Sequence, residues 1–317
     1  MTATATSRRT LRLIATCDEK FHIGLAVTLQ TALEHLPSDV TVQAHILGLG
    51  LKRSICEKIG RTLSNAGHEA NFYVIGDAPF GQKLAEVLRR SKINDRRRLC
   101  YFAKLLLPDL LGDADRCLFL DSDIYVNRDL AELYFQPFTR HPLKAVADTA
   151  TRGAATGLQE FACFGLDRHT TIFNSGVFLM DLDYWRREKL AEKALAFIER
   201  AAVAFAAQSP APPLEDQILF NLLYYQNWEE LSVEWNRQAP YRCGIAGDLR
   251  KDRRFLFHYL TRPKPWEEPY NDDAKEFYEA LDRTALAGWR PHKFWSGLRA
   301  KLSYQKYRFW RWRQRRT

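Results

Sequence analysis

Short apolar runs alternate with longer amphipathic stretches along the first third of the chain. Leu11-Arg12-Leu13-Ile14-Ala15-Thr16 reads as a buried strand, and Asp18-Glu19-Lys20 as the polar turn that ends it. From His22 to His35, apolar side chains recur at helical spacing through Leu25, Ala26, Leu29, Ala32 and Leu33. Pro37-Ser38-Asp39 stops that helix. Val40 to Leu49 predicts a second strand, Lys52 to Asn65 a second helix, and Phe72 to Ile75 a third strand. Strands alternating with helices of this length imply right-handed βαβ units and a mostly parallel sheet.

Further along, the spacing predicts a helix over Leu99 to Leu111, followed by the apolar run Arg116-Cys117-Leu118-Phe119-Leu120, which is too short for a helix. Leu143 to Ala147 and Gly176 to Met180 are further strand candidates. One long helix is expected over Tyr184 to Gln208, ended by Ser209-Pro210-Ala211-Pro212-Pro213, and another over Glu215 to Tyr225. From there to Pro269 the pattern reads as irregular. With no internal repeats or low-complexity linkers, the chain divides into a flexible start (1–10), one α/β domain (11–288) and a tail (289–317).

Composition narrows this picture. The 317 residues suffice for one large domain, and 46% hydrophobic with 13% aromatic residues excludes a disordered chain. The six cysteines form no CxxC pair or Cys/His cluster, which argues against structural zinc and for reduced thiols. Residues 1–10 lack the apolar stretch of a signal peptide, and no run approaches the ~18–20 apolar residues of a spanning helix, so a soluble or peripheral protein is expected. The net charge of +9 belongs to the tail, which holds ten Lys/Arg and no acid; the rest carries 37 basic against 38 acidic residues. This argues against a nucleic-acid surface across the body.

The chemistry-bearing residues sit at strand ends. Asp121-Ser122-Asp123 places two carboxylates just past a buried strand, where ligands bind in open α/β sheets. Hard oxygen donors there suit Mg²⁺ or Mn²⁺ held with substrate phosphates. A bare DxD says little, because Asp113-Ala114-Asp115 and Asp181-Leu182-Asp183 repeat it where solvated turns are the simpler reading. His258 ends the strand-like Phe255-Leu256-Phe257 and can complete a metal site, although a lone histidine is more often structural. Lys264, stiffened by Pro263 and Pro265, can reach a phosphate. Phe173-Asn174-Ser175-Gly176 precedes a strand, either as a plain turn or as a close backbone approach to a ligand. Glu215-Asp216-Gln217 opens a helix, where acids also serve as ordinary caps.

Taken in order, Thr16-Cys17-Asp18-Glu19, Phe102-Ala103-Lys104, Leu118-Phe119-Leu120-Asp121-Ser122-Asp123, Phe173-Asn174-Ser175-Gly176-Val177, Asp216-Gln217 with Asn221, and His258-Tyr259 with Lys264-Pro265-Trp266 resemble glycosyltransferase family 8, the family of bacterial lipopolysaccharide galactosyl- and glucosyltransferases and of glycogenin. The resemblance covers roughly residues 11 to 266. It implies a GT-A fold: a Rossmann-like, mixed but mostly parallel sheet flanked by helices. It also implies retaining transfer of a hexose from UDP-glucose or UDP-galactose to a lipopolysaccharide or other surface-glycan acceptor, with Mn²⁺ (or Mg²⁺). On this resemblance Asp121, Asp123 and His258 are the metal ligands, and Asp216 and Gln217 lie beside the anomeric carbon. Asp18, Glu19, Lys104, Asp121, Ser122, Asp148, Asn174 and Lys264 contact the donor. Lys104 stands where an arginine is common and Thr261 where a glycine is, which bears on the identity of the donor sugar.

The tail carries eight aromatics among its basic residues, the composition of an interfacial helix on anionic lipid. Aromatic stacking on bases is the rival. A lipid-linked acceptor favours the membrane, which places the protein in the cytoplasm, peripheral on the inner face of the cytoplasmic membrane and without a nucleic-acid partner. Two other functions stay open on sequence alone: a metal-dependent nucleotidyl- or phosphotransferase, and a lectin-like or nucleic-acid-binding module.

Overall fold

The computed structural model describes residues 8–77, 79–91, 97–148, 159–167, 169–206, 215–239, 254–260, 262–268 and 272–291. Most of the tail, with Thr261 and the Pro-rich stretch after Gln208, lies outside the described residues.

The chain begins as expected with strand β1 (Arg9–Asp18), helix α1 (His22–Glu34), β2 (Val40–Leu49), α2 (Arg53–Asn65) and β3 (Glu69–Val74). Helix α3 (Pro79–Arg90) follows, which the pattern did not suggest. The single helix expected over Leu99 to Leu111 is instead α4 (Arg97–Phe102), a 3₁₀ turn (Ala103–Leu106) and α5 (Leu107–Leu110). Pro108 has no N–H to continue a helical ladder, which fits a break there. Next come β4 (Arg116–Leu120), β5 (Ile124–Asn127), α6 (Ala131–Tyr134), β6 (Leu143–Ala147), α7 (Gln159–Ala162) and β7 (Phe173–Asp181).

The long helix expected from Tyr184 is also two: α8 (Leu182–Arg187) and α9 (Leu190–Ala206). Lys189 between them takes a left-handed backbone, φ 52°. Asp181 caps α8 by accepting the Tyr184 N–H at 2.8 Å, and Asp183 pairs with Arg186 at 2.9 Å, so this DxD is spent on a helix start. The Asp113–Asp115 pair faces Arg12 and Arg116 at the surface, away from the Asp121–Asp123 pair. Helix α10 (Asp216–Leu223), β8 (Glu229–Glu230), β9 (Arg237–Ala239), β10 (Phe255–Tyr259) and α11 (Lys275–Asp282) complete the described elements. The stretch read as irregular therefore holds three short strands.

Seven strands form one sheet in the order β3-β2-β1-β4-β7-β6-β8. All pairings in it are parallel except those of β7, which runs against both neighbours, β4 and β6. The mostly parallel sheet is as predicted. Its faces divide the core by strand alternation. Leu11, Leu13 and Ala15 of β1, with Leu118 and Leu120 of β4, pack toward α1 and α11. Ile14, Cys117 and Phe119 pack on the other face with Leu105, Trp185 and Phe220. Fully buried side chains of this size contribute about 1.5–3 kcal/mol each.

A second sheet, β5-β10-β9, sits at the carboxyl edge of the first. Its β5 side is held by α1, where the buried hydroxyls of Thr28 and Thr31 accept the Ile124 and Val126 N–H groups at 3.2 and 3.1 Å. The residues that join the two sheets are Asp121, Ser122 and Asp123.

Candidate active site

Strand β4 ends at Leu120, yet the Asp121 N–H still donates to the Gly176 carbonyl at 2.8 Å. The Ser122 hydroxyl then donates to the Thr16 carbonyl at 2.5 Å, tying the link to the end of β1. The Tyr259 N–H donates to the Asp123 carbonyl at 3.0 Å as the chain enters the second sheet. Both carboxylates are therefore carried on backbone pinned from three strands. Antiparallel pairing of β5 with β10 sets His258 opposite Ile124, directly beside them.

The imidazole Nε2 lies 3.3 Å from Asp123 Oδ1 and 3.8 Å from Asp121 Oδ2. Its Nδ1 lies 3.1 Å from the buried carboxamide oxygen of Asn236. Asp121, Asp123 and His258 together form a cluster whose ligand atoms all lie within 4.8 Å of one another. Asp123 Oδ1 is buried with no hydrogen-bond donor. Two carboxylates and an imidazole converging on one point, one oxygen of them orphaned, fit a divalent cation.

Charge compensation differs between the two aspartates. Burial would raise the Asp123 carboxyl, but the charge of Lys264, foremost among the opposing causes, holds it well below the usual carboxylate range. Lys264 Nζ donates to Asp123 Oδ2 at 2.7 Å and also to the Tyr259 carbonyl. For Asp121, burial wins, helped by the neighbouring Asp123 and Asp216 against Lys104, and its carboxyl is raised.

Lys104 is buried at the floor, its ammonium 4.2 Å above the Phe119 ring. Nζ donates to Asp216 Oδ2 at 2.6 Å and to the Ser175 carbonyl at 2.9 Å, and it lies 3.4 Å from Asp121 Oδ1. Burial pulls this ammonium down in pKa, but the Asp121 and Asp216 carboxylates more than offset it, so it stays protonated. Asp216 and Gln217 open α10 and point into the site: Asp216 also accepts the Ser175 hydroxyl at 3.2 Å. Gln217 Oε1 accepts from Asn174 Nδ2 at 3.2 Å and from the Ser175 N–H at 3.4 Å, while its amino group donates to Asp148.

These groups surround a cleft of about 300 Å³. Of the residues singled out from the sequence, Asp18, Lys104, Asp121, Ser122, Asp123, Asn174, Asp216, Gln217 and His258 line it. Asp148 and Lys264 stand just behind this lining, on Gln217 and Asp123. Glu19 is exposed with its carboxylate toward Gly50, outside the lining, and Asp18 spends one oxygen on the Lys20 and Phe21 N–H groups at 2.8 and 3.1 Å.

Sequence reasoning missed four residues here. Phe21 and Tyr101 give the cleft two aromatic rings. Gly24 admits Trp266: a Cβ on it would meet the indole at 2.5 Å, and the indole N–H donates to the Lys20 carbonyl at 3.0 Å. That packing pins the Lys264 loop to α1. Asn236 sits between a tryptophan and an arginine, and nothing in its local sequence marks it.

The pattern for Glycosyl transferase family 8 matches residues 12–269. A probable glycosyl transferase Gly of Streptococcus gordonii is 28% identical over 191 residues, 57% of this chain and 24% of its own length. General stress protein A of Bacillus subtilis is 21% identical over 280 residues, 83% of this chain and 91% of its own. The chain thus spans about a quarter of the streptococcal relative and nearly all of the Bacillus one.

Among solved structures, the galactosyltransferase LgtC with donor and acceptor sugar analogues superposes with a TM-score of 0.65 at 20% identity, covering 86% of this chain and 96% of LgtC. GlyE of Streptococcus pneumoniae gives 0.58 at 18% identity, covering 86% of this chain and 60% of GlyE. The fold is the GT-A arrangement, with a paired-aspartate and histidine cluster at the carboxyl edge of its sheet. On the family match across residues 12–269, the chain belongs to glycosyl transferase family 8.

Proposed function

We propose that this chain is a retaining hexosyltransferase that takes galactose or glucose from a UDP-sugar and places it on a lipopolysaccharide or other surface-glycan acceptor. The observation that carries this reading is the convergence of Asp121, Asp123 and the His258 Nε2 on one point of the cleft, with Asp123 Oδ1 left without a donor. These three residues would hold Mn²⁺ or Mg²⁺, and the chemistry such an ion supplies is charge neutralisation on the leaving diphosphate. Lys264, already ion-paired to Asp123, adds a second positive charge at the same place. Asp18 supports the nucleoside end, where the rings of Phe21 and Tyr101 also line the cleft.

Gln217 stands as the group nearest the reacting carbon. Its Oε1 accepts two hydrogen bonds, and a carboxamide oxygen so engaged is a weak nucleophile. Its fixed dipole instead favours developing positive charge at the anomeric centre. This supports front-face attack, with Asp216 and Asn174 holding sugar hydroxyls and a donor phosphate oxygen receiving the acceptor's proton. Asp148, through Gln217, orients the carboxamide.

The basic aromatic tail supports work at the inner face of the cytoplasmic membrane, on a lipid-linked glycan. Among the described residues no helix is long and apolar enough to cross a membrane. The test is UDP release from UDP-galactose and UDP-glucose, with Mn²⁺ and with a chelator. Slow release that needs the ion and disappears in Asp123→Asn is expected; release that ignores the chelator would count against the proposal.

A further inference from the structure

The His258 ring has two nitrogens, and only the one facing Asp121 and Asp123 can serve a cation. The ring itself does not say which nitrogen carries hydrogen. That is decided two side chains away, by a group whose polarity is not in question. The Gly176 backbone N–H can only donate, and it lies 3.0 Å from one corner of the Asn174 carboxamide. That corner is therefore the oxygen of Asn174. Its amino group occupies the other corner, 3.2 Å from Gln217 Oε1. A second backbone donor, the Ser175 N–H at 3.4 Å, identifies the Gln217 atom as oxygen too.

The corner of Asn236 facing Asn174 Oδ1, at 2.8 Å, must then be its amino group. Its oxygen is left for His258 Nδ1, 3.1 Å away. Asn236 is 0% exposed, so its carboxamide has no solvent to turn toward. An acceptor at that place requires hydrogen on Nδ1, so in the neutral ring the lone pair falls on Nε2. The opposite tautomer would set two amide and imidazole acceptors against each other and aim an N–H at the carboxylates, closing the site to a cation.

We infer that Asn236 is a positioning residue that holds His258 in its Nδ1–H tautomer, its Nε2 lone pair aimed at Asp121 and Asp123, and that Gly176 and Ser175 set the direction of the whole amide chain. The inference deepens the cation reading proposed above and rests on it for its purpose. Asn236 immediately precedes β9, whose parallel register sets Gln238 beside His258, so the contact is built by pairing of the second sheet. The same chain continues through Asn174 and Gln217 to Asp148, so the imidazole and the residues proposed to hold the donor sugar share one hydrogen-bond network.

Long-range ¹H–¹⁵N spectra of histidine-labelled, metal-free protein test this directly, with the His258 ring assigned by its loss in His258→Gln. In the wild type, recorded in alkaline solution so that the ring carries a single hydrogen, that hydrogen is expected on Nδ1 with Nε2 bare. Asn236→Leu removes the acceptor and should lose that tautomer, and Mn²⁺ binding measured with the ion alone should fall about 10–100-fold. Asn236→Asp keeps an oxygen toward Nδ1, although it loses the donor to Asn174, and should retain hydrogen on Nδ1, so the wild type and this variant decide the matter if Asn236→Leu does not fold. A neutral wild-type ring with hydrogen on Nε2 and Nδ1 bare would overturn the inference, as would Asn236→Leu with unchanged tautomer and Mn²⁺ affinity. If no protein binds Mn²⁺ yet the wild-type and Asn236→Leu tautomers differ as stated, the positioning role stands and the cation reading fails.

Discussion

Gly176 and His258 are packed so closely that no side chain fits between them: a Cβ on Gly176 would lie 2.3 Å from His258 Cε1. The same Cβ would lie 2.9 Å from Asp121 Oδ2, so one methyl group would press on two of the three residues assigned to the cation. Gly176 also supplies the N–H that orients Asn174 and the carbonyl that pins Asp121. Gly176→Ala is expected to weaken Mn²⁺ binding and UDP release by about 10–100-fold. Calorimetry with the ion would show it; wild-type affinity in that variant would mean the ring need not stand where it does.

Lys104 is expected to be a structural necessity as well as part of the cleft. It is 2% exposed and compensates both Asp121 and Asp216. Removing one member of such a buried group strands the others, at a cost of about 3–5 kcal/mol. Lys104→Met should show that loss in denaturant unfolding at neutral pH. A variant as stable as the wild type would mean the two carboxylates are stabilised by something else.

The Gln217–Asp148 contact gives a swap experiment. Gln217→Glu sets two carboxylates against each other where an amide donated before, and should reduce transfer by about 100-fold or more. Adding Asp148→Asn restores a donor and acceptor with their direction reversed. The double variant is expected to recover part of the lost rate, a coupling that two independent sites would not show.

Glu268, behind the Lys264 loop, gives a pH signature. Burial, with Asp273 nearby, pushes its carboxyl up to about 7 from the ordinary 4.5. Between those values the unfolded chain releases a proton that the fold retains, so this group's contribution to stability falls as pH rises through that window. Glu268→Gln has no proton to lose. Its melting temperature relative to the wild type should therefore be higher at about pH 8 than at about pH 5. A difference independent of pH would contradict the burial of a titrating acid there.

The sheet and half of the site could be read from local pattern because local pattern produced them. The run Cys117-Leu118-Phe119-Leu120 is buried on both faces, so it is continuously apolar and stops where the polar Asp121 begins. His258 and Lys264 were visible as polar residues after an apolar run and inside a proline pair. The breaks at Lys189 and after Phe102 were not, because a left-handed residue or a 3₁₀ turn leaves the apolar spacing on either side intact. The second sheet was hidden for another reason. Its strands are only three to five residues long, and its register couples Asn236 to His258 across 22 positions of sequence. No window of pattern contains that relationship.

The central claim is that one cluster, Asp121, Asp123 and His258, makes UDP recognition depend on a divalent cation. Titration calorimetry of UDP into the wild-type protein, with Mn²⁺ and then with a chelator, tests it most directly. Binding that requires Mn²⁺ and is lost in Asp123→Asn is the result the account predicts. Absence of binding under both conditions, or equal affinity with and without the ion, would contradict it.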